Sequence, residues 1–182
     1  LGGKAVLKVQ VHKGGRGKAG GVKKADSPDE ALKIAGSMIL NPILGERVKY
    51  VLVEELVPIA RELYLSIALD RSLGRNIAIF STKGGMDIEE VARTNPKDVA
   101  CVAADPNIGL QDFHIRRLMQ DANLPTELWK SVSAFVTVLY SAYLSLDATL
   151  MEINPLVVLQ DGTLRAADAK VTIDDSALFR HS

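Results

Sequence analysis

The stretch KVQVHKGGRGKAGGVKK, residues 8–24, decides the fold, because a glycine-rich loop here joins two strand patterns. Lys4–His12 alternates apolar valines with polar residues, which predicts a strand. Glycines then recur from residue 14 to residue 21 and predict a mobile loop. A second strand pattern resumes at Val22. The sequence therefore predicts a glycine loop that connects two strands.

Two common phosphate-binding loops, the dinucleotide-binding loop and the P-loop, do not fit the sequence around these glycines. Residues 15–20 satisfy G-x-G-x-x-G, but that dinucleotide loop opens directly into a helix. Here the helix signal comes only at Pro28, after the second strand. The P-loop pattern also fails, because Lys18 is followed by Ala19 rather than Ser or Thr. We therefore expect a flexible loop whose backbone N–H groups, with Arg16 and Lys18, bind a polyphosphate.

Strands and helices continue along the whole chain and predict an α+β fold. The apolar linker around Pro58 divides it into a smaller lobe, 1–60, and a larger lobe, 61–182. The hydrophobic patterns predict helices at Pro28–Leu40, Asp87–Ala92, Gln111–Asp121 and Pro125–Leu146, and further strands at Tyr50–Glu55, Glu62–Asp70, Asn76–Ser81, Val99–Ala103, Thr149–Leu159 and Leu164–Lys170. The Asp161-Gly162 turn predicts that the last two strands form a hairpin.

Lys8 is an unusual residue for the middle of an apolar strand. Burying its ammonium group costs free energy unless an anion lies beside it, so Lys8 is a candidate phosphate ligand. The alternative is that Lys8 belongs to an edge strand and extends its amine into solvent.

Glu54 and Glu62 bracket the apolar linker Leu56–Ala60. A flat base could stack on this linker and bond to its backbone, with a carboxylate on either side to meet ribose hydroxyls. The alternative is that both glutamates are ordinary surface charges.

Glu152, Asn154 and Asp168 place hard oxygen donors on the two strands of the predicted hairpin. Glu152 and Asn154 share a strand face by the period of two, and Asp168 can reach that face across the turn. Such donors suit Mg²⁺, which also keeps waters and phosphate oxygens. The alternative is a polar strand face turned to solvent.

The composition excludes several classes of function. Lys plus Arg equals Asp plus Glu at 22 each, so no overall basic field draws in nucleic acid or an anionic membrane. Apolar stretches fall short of the roughly 18–20 residues that span a bilayer, and we expect a cytoplasmic location. Leu1-Gly2 opens the chain without methionine, which suggests a piece of a larger polypeptide. Cys101 is expected to be a small buried hydrophobe.

Several segments, in order along the chain, resemble the ATP-grasp region of the succinyl-CoA synthetase β-subunit family. These segments are residues 9–23, Val53–Glu55, Arg61–Leu65, Leu69–Arg71, Gly84–Glu90, Glu152–Leu156 and Asp168–Lys170. The resemblance spans essentially the whole chain. It implies an ATP-grasp fold of two small α/β lobes with a nucleotide bound between them.

The resemblance also implies roles for individual residues. Carried over position by position, it implies nucleotide contacts at Lys8, Gly15, Arg16, Gly17, Glu54, the backbone of Val57 and Glu62. It further implies Mg²⁺ ligands at Asn154 and Asp168, and assistance to phosphoryl transfer by Glu152.

The implied reaction moves a phosphoryl group between ATP (or GTP) and a histidine of an α subunit, which also carries the CoA site, during reversible, ADP-forming succinyl-CoA formation. This half-reaction needs charge neutralisation and in-line placement rather than a protein nucleophile. We expect the opening strand and helix and the C-terminal domain of the family to be missing from this chain. Relatives that act on malate, acetate or citrate remain open, as does a non-catalytic nucleotide-binding module.

Overall fold

The protein divides into two compact units, each with its own sheet and core. The computed structural model describes residues 3–181, so Leu1, Gly2 and Ser182 lie outside the described residues. The units are Leu1–Pro58 and Ile59–Ser182, a division close to the lobe boundary predicted after residue 60. Among the described residues, no helix combines the length and apolar character that crossing a bilayer requires.

The first unit is a three-stranded antiparallel sheet covered by one helix, as far as its described residues show. Its elements are β1 (Ala5–Gln10), β2 (Val22–Ala25), α1 (Pro28–Leu40) and β3 (Tyr50–Glu55), with the strand order β2-β1-β3. Ser27 caps α1 by accepting a hydrogen bond from the Glu30 amide at 3.2 Å. Leu7 and Val9 of β1 are fully buried in a cluster with Met38 of α1.

The second unit is larger and contains the remaining elements. They are β4 (Ile59–Asp70), β5 (Arg75–Ser81), α2 (Ile88–Thr94), β6 (Val99–Ala103), α3 (Asp112–Asp121), α4 (Trp129–Ser145), β7 (Ala148–Leu159), β8 (Leu164–Ala166) and β9 (Ala169–Ile173). Short 3₁₀ helices lie at Pro96–Asp98, Thr126–Leu128 and Asp175–Arg180. Over the described residues the sheet has the order β6-β5-β4-β7-β8, and β9 also pairs with β7.

The two faces of this larger sheet differ in character. On one face, Leu65 and Phe80 pack with Ile115 of α3 and Val132 of α4 in the main apolar core. Because side chains alternate along a strand, residues of the opposite parity point to the other face. That second face carries polar groups, and it holds the candidate site of this unit.

The predicted hairpin at the end of the chain is wrong in one respect. The expected strand Leu164–Lys170 is two strands, because β8 pairs with one half of β7 and β9 with the other. The break lies opposite Pro155, which has no N–H to donate to the ladder. Two further expectations also need correction: β4 begins at Ile59 rather than Glu62, where Ile59 pairs with Leu159, and Cys101 is exposed on the edge strand β6.

Candidate functional site

The glycine loop of the first unit closes back on β1 through its own backbone. The Val9 amide donates to the Gly21 carbonyl at 2.9 Å, and the Gly21 amide donates to the Arg16 carbonyl at 2.7 Å. A Cβ on Gly21 would lie 2.6 Å from Val9 Cγ2 and 2.9 Å from the Arg16 oxygen. Only glycine therefore fits at this closure point.

The other loop glycines have open space beside them. A Cβ added to Gly15 or Gly17 would meet no described atom within 4 Å, and Gly15 has a φ of +80°. The Arg16 guanidinium donates to the Val9 carbonyl at 2.9 Å, so this side chain also braces the loop. The loop thus leaves room for a polyphosphate along its backbone, and the nucleotide roles of Gly15, Arg16 and Gly17 remain predictions.

Lys8 lies on the central strand of its sheet, so the interpretation as an edge-strand lysine is wrong. Its parity is opposite to that of Leu7 and Val9, which places it on the sheet face away from α1. Only 9% of Lys8 is exposed, and its ammonium forms an ion pair with Glu54, a diagonal neighbour on β3. The carboxylate supplies the anion that a buried lysine needs. Val57 lies in the segment between β3 and β4.

In the second unit, the pairing of β7 with its neighbours on both sides places the predicted metal ligands next to each other. Asn154 and Pro155 of β7 both stand opposite the single residue Tyr64 of β4. On the other side of β7, the Asn154 amide N–H donates to the Asp168 carbonyl at 3.1 Å. Asn154 and Asp168 are therefore direct backbone neighbours, with Glu152 two residues away on the same strand.

A glycine loop that we did not assign a role holds Asn154 and approaches Glu62. The Gly85 amide donates to Asn154 Oδ1, and Asn154 Nδ2 donates to the Met86 carbonyl, both at 2.8 Å. The Gly84 amide donates to the Glu62 carbonyl at 3.0 Å, and a Cβ on Gly84 would overlap the Leu63 backbone. The adjacent glycines are the sequence signal that could have identified this close approach.

Glu152 is held by the buried hydroxyl of Tyr64, which Ser66 contacts in turn, and no role was predicted for either residue. Glu152 Oε2 accepts a hydrogen bond from the Tyr64 hydroxyl at 2.9 Å, and Ser66 Oγ lies 3.0 Å from the same hydroxyl. Tyr64 is 2% exposed and Ser66 is 0% exposed. Burial raises the pKa of the Tyr64 phenol far above its ordinary value, so the phenol is a neutral donor.

Asn154 and Asp168 are the residues that could hold a divalent cation. One lone pair of Asn154 Oδ1 is used by Gly85, which leaves the second for a metal. Among the described residues, no group of three His, Cys, Asp or Glu side chains is placed to bind a metal. Few protein ligands are typical of Mg²⁺, which keeps waters and substrate phosphates, whereas a structural metal needs a full protein shell. The donor set fits Mg²⁺, and the metal roles remain predictions.

Comparison with known proteins identifies the family to which the chain belongs. The ATP-grasp domain family matches residues 1–158. The chain is 49% identical over its full length to "Succinate--CoA ligase [ADP-forming] subunit beta 2" of Archaeoglobus fulgidus and 47% identical over its full length to the corresponding β subunit of a Roseiflexus species. It covers 47% and 48% of those two proteins, so the chain spans about half the length of these curated relatives.

Solved structures share the fold. The structure of ATP citrate lyase from Methanothrix soehngenii, in complex with citrate and coenzyme A, matches with a TM-score of 0.74 and 23% identity, covering 97% of this chain and 40% of that one. The dinucleotide-forming acetyl-coenzyme A synthetase 1 of Ca. Korarchaeum cryptofilum matches with a TM-score of 0.68 and 18% identity, covering 93% and 75%. The predicted fold and the resemblance to succinyl-CoA synthetase β subunits are confirmed, and the chain belongs to the ATP-grasp family.

Proposed function

We propose that this chain is the nucleotide- and Mg²⁺-binding part of the β subunit of an ADP-forming acid–CoA ligase. The proposed reaction transfers a phosphoryl group between ATP (or GTP) and a histidine of an α subunit, during reversible succinyl-CoA formation in the cytoplasm, or in the mitochondrial matrix of a eukaryote. One observation carries the proposal: Glu152 and Asn154 lie on β7, and the Asn154 amide donates to the Asp168 carbonyl at 3.1 Å, so the three residues lie close together. Whole-chain similarity to named ligase β subunits supports the choice of acid.

The first unit is suited to bind the polyphosphate. Residues 1–58 contain ten Lys and Arg against six Asp and Glu, although the whole chain is neutral. Lys8 and the open backbone at Gly15 and Gly17 would hold the phosphate oxygens. Because Lys8 is paired with Glu54, we expect the lysine to exchange or share this partner when phosphate binds.

The second unit is suited to support the transfer itself. Asn154 and Asp168 would hold Mg²⁺, which neutralises polyphosphate charge when it is bound. Glu152 would lie against the acceptor histidine and hold it for in-line attack. The phosphorus–oxygen bond to the leaving ADP would break as the bond to the histidine nitrogen forms. The carboxylate of Glu152 accepts from neutral Tyr64 rather than from a cation, so its negative charge remains available.

The acceptor histidine is proposed to come from the α subunit. Two of the histidines in this chain have structural contacts: His114 Nδ1 accepts from the Gln111 amide at 3.0 Å, and His181 Nε2 lies 2.7 Å from Asp147. The CoA site is likewise assigned to the α subunit, and we expect the chain alone to show no turnover of succinate and CoA.

Substitution of Asp168 by Ala in the complete ligase tests the proposal. With radiolabelled ATP, Asp168→Ala should abolish the Mg²⁺-dependent labelling of the α-subunit histidine and leave the fold intact. Asp161→Ala is a matched control, because Asp161 is an exposed aspartate that caps the nearby turn through the Thr163 amide. Unchanged labelling in Asp168→Ala would contradict the metal assignment. Turnover with malate, acetate or citrate in place of succinate would show that the acid substrate is not succinate.

A further inference from the structure

The carboxylate of Glu152 has a support that is built into the sheet. Tyr64 lies at the bulge of β4 and β7, and Ser66 pairs directly with Glu152 across the same two strands. All three side chains therefore share the polar face of the sheet, away from α3 and α4. The bulge sets Tyr64 so that its hydroxyl reaches Glu152 on the neighbouring strand.

The direction of these hydrogen bonds follows from the chemistry of the groups. An ionised carboxylate only accepts, so the hydrogen between Tyr64 and Glu152 Oε2, 2.9 Å apart, comes from the phenol. The phenol has one hydrogen, and so Ser66 Oγ, 3.0 Å away, must donate to the phenol oxygen. The result is a chain of donors from Ser66 through Tyr64 to Glu152.

Burial makes this chain of hydrogen bonds rigid and keeps its two hydroxyl groups neutral. Ser66 and Tyr64 have almost no exposed surface, so water does not compete for their hydrogen bonds. Burial also raises the pKa of the Tyr64 phenol, which keeps the hydrogen on the tyrosine. A buried hydroxyl left without a partner is costly, and each member of the chain therefore favours one rotamer of the next.

We infer that Tyr64 is a positioning residue for phosphoryl transfer: its hydroxyl, held by Ser66, fixes the Glu152 carboxylate in one orientation against the acceptor. The inference rests on the proposed function, because it assigns Tyr64 a task in that reaction. A fixed carboxylate lowers the cost of ordering the acceptor at the moment of transfer. Tyr64 touches neither the nucleotide nor the acceptor in this role, and nucleotide affinity should not depend on it.

Tyr64→Phe in the complete ligase tests the inference, because it removes one hydroxyl and keeps the ring. In single-turnover phosphorylation at saturating Mg·ATP, we expect the rate to fall about tenfold or more, as for loss of a hydrogen bond to a charged group. The KM for Mg·ATP should stay unchanged. Replacing Tyr64 by 4-aminophenylalanine, whose amino group can donate to Glu152, should restore most of the rate.

Tyr143→Phe is the matched control. Tyr143 is also buried, at 3% exposure, and its hydroxyl donates to Asn76 Oδ1 at 3.0 Å. This variant loses a comparable buried hydroxyl outside the donor chain and should keep the wild-type rate. Equal losses in the two variants, or a wild-type rate in Tyr64→Phe, would overturn the inference.

Two further variants separate this inference from the proposed function. Glu152→Ala should abolish labelling of the histidine. If Glu152→Ala loses labelling and Tyr64→Phe does not, only the positioning role fails. If the wild-type complex labels no histidine, or Glu152→Ala labels it normally, the proposed function fails. If Tyr64→Phe does not fold, Ser66→Ala takes its place in the test. This variant removes the hydroxyl that holds the Tyr64 phenol, and it should slow phosphoryl transfer with no change in the KM for Mg·ATP.

Discussion

Each unit contains a glutamate that is held by a buried side chain of a neighbouring strand. The two buried side chains differ in charge. Glu54 is ion-paired with Lys8, whereas Glu152 accepts a hydrogen bond from the neutral Tyr64. The first pair is neutral as a whole, and the second retains a full negative charge. A neutralised pair can exchange partners with an incoming phosphate, while a fixed anion can face a cationic or hydrogen-bonding group. The same residue type therefore suits binding in one unit and transfer in the other.

The largest expected effect concerns the two glutamates, which are proposed to act in different steps. Glu152→Gln keeps the shape and removes the charge, and it should slow phosphoryl transfer about 100-fold or more in the complete ligase. Glu54→Gln should instead weaken Mg·ATP binding and leave the rate at saturation nearly unchanged. Single-turnover labelling over a range of ATP concentrations measures both quantities. If Glu152→Gln changed only the affinity, the contrast between the two carboxylates would be wrong.

The second prediction concerns the framework around Glu152. Gly84→Ala forces a Cβ into the Leu63 backbone, and we expect a loss of roughly 2–3 kcal/mol of unfolding free energy in the second unit. Gly17→Ala, in the loop near Lys8, meets open space and should change stability by less than about 1 kcal/mol. Trp129 is the only tryptophan in the sequence and lies in α4, so its fluorescence follows denaturation of the second unit.

Gly17→Ala is in the first unit and needs a separate probe. Amide hydrogen exchange in β1 and β3 reports the opening of that unit. Similar losses of unfolding free energy for Gly84→Ala and Gly17→Ala, each measured in its own unit, would contradict the contrast between a crowded glycine in the second unit and an uncrowded loop glycine in the first.

The elements that were predicted correctly carry their own boundary signals. The helix Pro28–Leu40 and the strands Tyr50–Glu55 and Val99–Ala103 begin and end where the sequence analysis placed them. Ser27, Pro28 and Asn41 mark the helix ends locally. By contrast, the β8–β9 break depends on which half of β7 each strand meets. The switch from one half of β7 to the other is not encoded in the periodicity of residues 164–170, and this explains the error.

The residues of the candidate site likewise include some that a local sequence pattern links and others that only strand pairing brings together. The period of two was enough to associate Glu152 with Asn154, because both lie on one strand. No role was predicted for Tyr64 and Ser66, because their position beside Glu152 depends on the register of two strands far apart in the chain. In the sequence, a tyrosine and a serine in an apolar strand are indistinguishable from core residues. Only the pairing shows that both face a carboxylate.

The third prediction tests whether the Lys8–Glu54 pair serves stability or binding. Lys8→Met leaves the Glu54 carboxylate without its cation, and because that side chain is 40% exposed we expect a modest loss of about 1–2 kcal/mol. Lys8→Met/Glu54→Met should recover most of this stability. Neither variant should regain nucleotide affinity. Hydrogen exchange in β1 and β3 measures the stability of the first unit, and titration with Mg·ATP measures the nucleotide affinity. Recovered affinity in the double variant would remove Lys8 from the phosphate site.

A third carboxylate, Asp147, extends the comparison to a side chain held by two partners, and it should give the smallest effect. Arg180 donates to Asp147 at 2.6 and 2.7 Å, and His181 Nε2 lies 2.7 Å away. The hydrogen bonds from Arg180, then that from His181, lower the Asp147 pKa from its ordinary 3.8 to about 2. The stabilisation is therefore present above pH 3.8 and is lost as the pH falls through about 2.

Urea denaturation, followed by Trp129 fluorescence, should show wild type slightly more stable than Asp147→Asn above pH 3.8, with the difference closing toward pH 2. The difference should be small because Asp147 lies at the surface, where water screens its charge. Arg180→Gln should also narrow the difference between Asp and Asn at position 147, since it removes the main cause of the lowered pKa. A difference that instead grew on acidification would mean that Asp147 binds its proton more tightly in the folded protein, opposite to the arrangement of its partners.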